Sequence, residues 1–252
     1  MLILNSLRNI YVHLHKNGGT SIECSLSPLL KWNDILLGST PDGEAIQHVY
    51  AYRFGLDKHS SAARIKSLVG SEIWNSYLKW ATVRSPYFRI ASLYGYAASL
   101  IEPELTAQYL PFVASKTATA DWLASGGYPT SDPWHFPVVR AYLASRHSNR
   151  PFSDFLRSPE LREEPAFLPQ FEQLAENGML IVDRYVRLET LSSTWPSLCA
   201  EMEIPFVSLT ISNETPAKWK QETKDLFTRR DDIDFANIHF SEDFRCFGYE
   251  KV

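Results

Sequence analysis

Residues 10–21 read IYVHLHKNGGTS. The first six alternate and are rich in β-formers, the pattern of a strand over 10–15. Gly18 and Gly19 break that pattern, and SIECSLSPLL follows. Thr20 or Ser21 stands where a helix N-cap belongs, so a helix is expected to about Ser27, ahead of Pro28. Strand, tight glycine turn and helix form the opening unit of an α/β sheet.

The same alternation continues outward. WNDILLG (32–38) reads as a short strand and STPDG (39–43) as a turn. SSAARIKSLVG (60–70) has a serine cap, helical spacing and a closing glycine. YLKWATVR (77–84) reads as a strand, and Ser85-Pro86 opens a helix to about Ser99, with Pro86 at the tolerated first position. MLIVDRYVRL (179–188) reads as a strand, and 189–204 as a helix interrupted early by Pro196. Residues 216–235 read as one or two amphipathic helices. Residues 100–178 are rich in proline and in aromatic clusters, and read as short helices and long loops. The expected fold class is α/β, a central parallel sheet flanked by helices in one domain over 1–252.

Composition narrows the function. Hydrophobic residues make up 44% and charged residues 21% of 252, which excludes bulk disorder. There is no apolar run of membrane-spanning length, and the start of the chain lacks the pattern of a secretory signal. A formal net charge of −4 disfavours a bulk electrostatic role on nucleic acid or anionic membrane. Cys24, Cys199 and Cys246 are odd in number and far apart. They suggest neither a disulfide framework nor a zinc site, and they suit a reducing compartment.

HKNGGTS (15–21) carries the most chemistry. Paired glycines let backbone N–H groups turn toward a ligand, and the helix that follows adds unsatisfied N–H groups and the positive end of its dipole. Thr20 and Ser21 add hydroxyls, and Lys16 adds a charge. The lysine precedes the glycines, so the order differs from G-x-x-x-x-G-K-[ST]. A second anion position follows the strand 77–84. There Arg84 stands at the strand's end, and Ser92 lies two turns into the next helix; Arg89 reads better as a structural ion pair.

These segments resemble the PAPS-dependent sulfotransferases (PAPS is 3′-phosphoadenosine-5′-phosphosulfate). IYVHLHKNGGTS is similar to their 5′-phosphosulfate loop, a strand followed by His-x-Pro-Lys-Thr-Gly-Gly-Thr-Ser. ATVRSPYFRIASLYGY is similar to their 3′-phosphate segment. DKHSSAARIKSL resembles the Lys-His-Ser/Thr-x-Ala stretch of the Golgi-type carbohydrate branch and its bacterial relatives. DRYVRLETL and EDFRCFGY resemble the Arg-Phe-Glu-x-Leu segment and the closing Asp-Phe-x-x-Phe-Gly-Tyr. The five run in the expected order from residue 10 to 249. This chain departs at His15 (usually Pro), Asn17 (usually Thr), Ser85 (usually Asp or Asn) and 237–239, where a Tyr is common.

The resemblance implies a P-loop-like sulfotransferase fold, with 100–178 as a variable acceptor-side region. It implies PAPS as co-substrate and no metal. Lys16, Asn17, Gly18, Gly19, Thr20 and Ser21 would hold the 5′ phosphosulfate, and Arg84 with Ser92 the 3′ phosphate. Lys16 would also neutralise the leaving phosphate, and His59 would be the base, with His48 second in line; His13 reads as a core residue. The acceptor is expected to be a carbohydrate or another hydroxyl compound. Trp122, Tyr128, Trp134 and Phe136 are candidates for stacking on sugar rings, and His135 for touching the acceptor. The cytoplasm is the expected compartment. Two rivals stand beside this: a P-loop kinase or NTPase, with the Asp of IVDR (181–184) at a strand's end to hold a metal, and a non-catalytic nucleotide- or glycan-binding module.

Overall fold

The computed structural model of the chain describes residues 1–100, 136–210 and 226–252. They gather into two compact units. The first is formed by described residues within Met1–Pro86, Pro169–Glu214 and His239–Lys251, and the second within Tyr87–Leu168 and Thr215–Ile238, together with Val252.

The first unit is α/β, with a mixed five-stranded sheet flanked by helices. Its strands are β1 (Leu2–Leu4), β2 (Asn9–Val12), β3 (Ile35–Leu36), β4 (Leu78–Val83) and β7 (Arg184–Arg187), in the order β3-β1-β2-β4-β7. The expectation of a parallel sheet is corrected here. β2, β4 and β7 are parallel, but β1 pairs antiparallel with both β2 and β3. The reason is local. Leu2–Leu4 and Asn9–Val12 are too close in sequence for a crossover helix, so they can join only as a hairpin.

Both faces of the sheet are covered, so its strands read as apolar runs. Ile3, Ile10, Val12, Ala81 and Val83 pack on one side with Ala62, Ile65 and Trp74 of α3 (Ala62–Ser76). Leu2, Leu4, Tyr11 and Trp80 pack on the other with Ile22 and Leu26 of α1 (Gly19–Leu26) and Leu191, Trp195 and Leu198 of α8 (Leu191–Glu201). The Tyr11 hydroxyl and Thr82 Oγ1 share a buried hydrogen bond of 2.7 Å between β2 and β4.

Several elements differ from the sequence expectation. The segment 39–43 is a helix start rather than a turn: Thr40 Oγ1 accepts from the Gly43 N–H and caps α2 (Pro41–Phe54). α3 passes through Gly70, which takes φ 80° and kinks the helix rather than closing it. The stretch 179–188 divides into two strands. β6 (Met179–Leu180) turns back antiparallel on β5 (Ala175–Glu176) through Asn177 and Gly178, both at positive φ, and β7 joins the main sheet. α8 continues past Pro196. α7 (Gln170–Leu174) and α10 (Ser241–Phe247) complete the helices of this unit.

The second unit holds α4 (Pro86–Ser99) from Tyr87 on, α5 (Pro137–Ser145) and α6 (Pro151–Leu156), with α9 (Arg230–His239) to Ile238. Tyr94 makes edge-on contacts with Tyr142, Phe152 and Phe155. The buried Asp232 accepts from Ser153 Oγ at 2.6 Å and Arg157 Nη1 at 2.5 Å. Arg89 is buried and donates to the carbonyls of Ala166 and Leu168. These bonds give it a structural role, the one expected of it. Among the described residues no helix is long and apolar enough to cross a membrane. None of their His, Cys, Asp and Glu side chains form a group of three placed to hold a metal ion.

The turn from β2 into α1 has no room for side chains. Gly18 has φ 75° and is itself the helix N-cap, the position assigned above to Thr20 or Ser21. A Cβ on Gly19 would stand 2.2 Å from the His13 ring. Gly19→Ala is therefore expected to cost about 1–3 kcal/mol through overpacking. Gly178→Ala, where φ is +76° and the added Cβ meets nothing within 4 Å, should cost ~1–2 kcal/mol from backbone strain alone. Urea midpoints measure both, and a Gly19→Ala protein as stable as wild type would remove the His13 contact as the reason for this glycine.

Candidate functional site

The loops after β2, β4 and β7 all leave the C-terminal ends of parallel strands, where open α/β sheets bind ligands. The first is built around two left-handed residues, Lys16 at φ 64° and Gly18 at φ 75°. Successive N–H groups in such a turn form a concave anion-binding nest. Gly18 has no side chain to cap α1, and the first turn of α1 carries no acidic residue. The helix dipole thus faces this loop without a competing carboxylate in that turn.

Lys16 and Arg84 meet at the loop. Arg84 Nη1 donates to the Lys16 carbonyl at 3.3 Å. Burial, and then the nearby Arg84 charge, pull the Lys16 ammonium down to about 8. Burial also lowers Arg84, while Glu189 and Tyr249 work the other way. Glu189, from the loop after β7, accepts from the Ser85 N–H at 2.8 Å and from the Tyr249 hydroxyl at 3.0 Å. Arg187 donates to the carbonyls of Phe247 and Gly248 and lies over the Tyr249 ring.

His59 stands against the same loop. Its ring stacks on His15 with centroids 3.6 Å apart and meets His13 edge-on at 4.5 Å. Its Nδ1 lies 3.0 Å from the His13 carbonyl, which can only accept. The proton of neutral His59 is thereby assigned to Nδ1, leaving Nε2 with its lone pair. Asp57 Oδ1 fixes the His59 backbone by accepting its N–H at 2.7 Å. Burial, followed by His13 and His15, lowers His59 well below the usual imidazole range, so it is neutral at pH 7. Beneath it His13 Nδ1 lies 2.8 Å from Glu23 Oε1, close but poorly aligned for a hydrogen bond. Burial lowers His13, against the opposing pull of Glu23. Burial alone would raise the Glu23 carboxyl, but the pull of His13 and of the Met1 amino group holds it at about 2.

The structure thus brings Lys16, Gly18, Gly19, Arg84 and His59 to one place. Thr20 and Ser21 lie in the first turn of α1, both partly exposed. Asn17 departs from its expected role. Its side chain is fully buried and donates to the Thr82 carbonyl at 2.9 Å and to Gln170 Oε1 at 2.7 Å, so only its backbone is left to face a ligand. Ser92 is a buried residue of the second unit, on α4. His48 is exposed on α2, and His13 is buried, as expected of a core residue. Trp122, Tyr128, Trp134 and His135 lie outside the described residues, and Phe136 is exposed.

Gln170, Asp243, Glu189 and Asp57 were not legible as site residues. Asp243 and Glu189 do stand within the segments EDFRCFGY and DRYVRLETL, but nothing in spacing or charge gives either a partner. Gln170 lies in the proline-rich stretch that reads as variable. No protein-family model, curated protein or solved structure matches this chain.

An anion at this loop favours protonated Lys16, so its affinity must fall as pH rises through about 8. Sulfate is a suitable probe because its own charge is constant in this range. Its dissociation constant, followed by NMR of the loop amides, is expected to rise up to about tenfold per pH unit above 8. It should stay level in Lys16→Met. An equal pH dependence in both proteins would take Lys16 out of the site.

Proposed function

We propose that this chain is a PAPS-dependent sulfotransferase that moves a sulfuryl group to a hydroxyl acceptor, with a carbohydrate as the leading acceptor class. The observation that carries the proposal is the convergence of Lys16, Arg84 and neutral His59 on one glycine turn, at the C-terminal ends of parallel strands. The order of the five segments that resemble the sulfotransferases supports it from the sequence side.

The residues fit such a donor. PAPS is a compact polyanion, and the left-handed nest, the uncapped start of α1 and two adjacent cations are what such a group requires of an acidic protein. When bound, PAPS supplies the sulfuryl group and a phosphate leaving group. The loop N–H groups and Lys16 hold the 5′ end, and Arg84 holds the 3′ phosphate. Lys16 neutralises charge that develops on the leaving oxygen, a preorganised contribution whose loss costs about 10²–10³ in rate. His59 Nε2 accepts the proton of the acceptor hydroxyl, while the His13 carbonyl keeps Nδ1–H in place as the ring becomes charged. The stacked His15 ring restricts rotation of that imidazole.

The NTPase rival loses its metal-holding residue. Asp183 precedes β7, at the strand end opposite Arg84, and its carboxylate accepts from the Lys79 N–H at 2.9 Å and pairs with Lys79 Nζ at 2.9 Å. A non-catalytic module would have no need of a His held in one tautomer, and the geometry of His59 favours catalysis over binding alone.

Two measurements test the proposal. Adenosine 3′,5′-bisphosphate should raise the melting temperature more than ATP with Mg²⁺, by linkage to the folded state; the reverse order would favour the NTPase. With labelled PAPS and a panel of sugar acceptors, His59→Ala should lower turnover by about 10²–10⁴ and leave bisphosphate binding near wild type. Unchanged turnover would remove His59 from the mechanism.

A further inference from the structure

The Gln170 side chain makes four buried or part-buried hydrogen bonds, although it touches no proposed reacting group. It opens α7 with its residue fully buried. Oε1 accepts from Asn17 Nδ2 at 2.7 Å and from the Arg84 N–H at 2.9 Å. Nε2 donates to the Arg84 carbonyl at 2.9 Å and to Asp243 Oδ2 at 3.1 Å. Two acceptances and two donations are all that a carboxamide offers. Asp243, on α10, also accepts from the backbone N–H groups of Gln170 and Phe171 at 3.0 and 2.7 Å, capping α7 from another helix. Asn17 adds a direct bond to the Thr82 carbonyl on β4.

The chemistry is specified. A carboxylate in place of the amide would turn an acceptor toward the Arg84 carbonyl and the Asp243 carboxylate. An aliphatic side chain would leave the Arg84 N–H and the Asn17 amide without these buried partners, which is the costly direction for a hydrogen bond. An amide of this length satisfies all four groups. What it joins is specific too: the side chain of Asn17, next in sequence to Lys16, and the backbone N–H and C=O of Arg84, so that it links the two cations of the proposed donor site.

We propose that the Gln170 side chain, with Asn17 and Asp243, is a lock that ties the glycine turn to the end of β4, so that Lys16 and Arg84 act as one preorganised receptor for a ligand with two anionic groups. This rests on the sulfotransferase proposal for the identity of the ligand but not for the lock itself. Gln170 and Asn17 are positioning residues. They act by fixing the separation of two cations, so their loss falls hardest on a ligand that spans both.

The variants are Gln170→Glu, which keeps the shape and reverses the Nε2 donor, and Asn17→Ala, which opens only the loop side of the lock. Asn17→Ala keeps the Gln170–Arg84–Asp243 bonds and serves if Gln170→Glu does not fold. Two readouts apply to each: hydrogen exchange of the amides of residues 17–21 in the free protein, and the dissociation constants of adenosine 3′,5′-bisphosphate and AMP. The lock predicts faster exchange at 17–21 with unchanged exchange in β1 and β2. It predicts a bisphosphate constant raised about tenfold or more, and an AMP constant raised threefold or less. General loosening of the fold would weaken both nucleotides alike, so the ratio of the two constants reports positioning. Wild-type exchange in both variants overturns the proposal, and so does an unchanged bisphosphate-to-AMP ratio. If the wild type binds neither nucleotide, the sulfotransferase proposal falls instead. The lock is then decided by exchange alone: faster exchange supports it and wild-type rates overturn it.

Discussion

The chain can pass from β2 into α1 only because two successive residues have no side chain. Gly19 lies against the His13 ring, and a Cβ on Gly18 would come within 2.6 Å of Leu188. That closeness does two things at once. It brings backbone N–H groups into a cavity-like turn, and it sets the His13 carbonyl where it fixes the tautomer of His59. A bulkier turn would push α1 off the sheet, where Ile22 and Leu26 fill one face of the core. The packing of the core and the shape of the proposed anion site are therefore one constraint.

The second theme is how an acidic protein gathers positive charge. The Arg84 guanidinium is bonded to the Lys16 carbonyl, and its charge adds to burial in lowering the Lys16 ammonium. Such an arrangement is costly for the empty protein, and it persists because backbone bonds impose it. The Lys16 carbonyl accepts from Arg84, and Gln170 clamps both N–H and C=O of residue 84. The unfavourable pair supports the proposed anion site. Glu189 moderates it from the next loop while its own oxygens are held by Ser85 and Tyr249.

Much of the frame was legible in advance, for reasons that can be named. The alternation of 10–15, the strand reading of 77–84 and the proline at the first turn of α4 are local signals, and the structure has strands at Asn9–Val12 and Leu78–Val83 and a helix from Pro86. The glycine turn and Lys16 were legible because only a few residue types permit that backbone. The errors also have causes. Leu2–Leu4 is a strand too short to show a period. Thr40 caps α2 where STPDG has the composition of a turn. Asn17 has the polarity of a ligand contact, yet it points inward because a buried amide partner 153 residues away accepts its hydrogen bond.

The sequence by itself determined which segments alternate, where backbone must turn left-handed, and which cations flank that turn, because each depends on sterics and period within a few residues. Only the tertiary structure decided that β3 pairs with β1, that His15 stacks on His59, and that Gln170 joins residues 17, 84 and 243. Those facts rest on contacts between residues tens to more than a hundred positions apart. A hydrogen bond or a ring contact at that separation leaves no periodicity in the chain; it exists once the sheet has brought its partners within 3–4 Å.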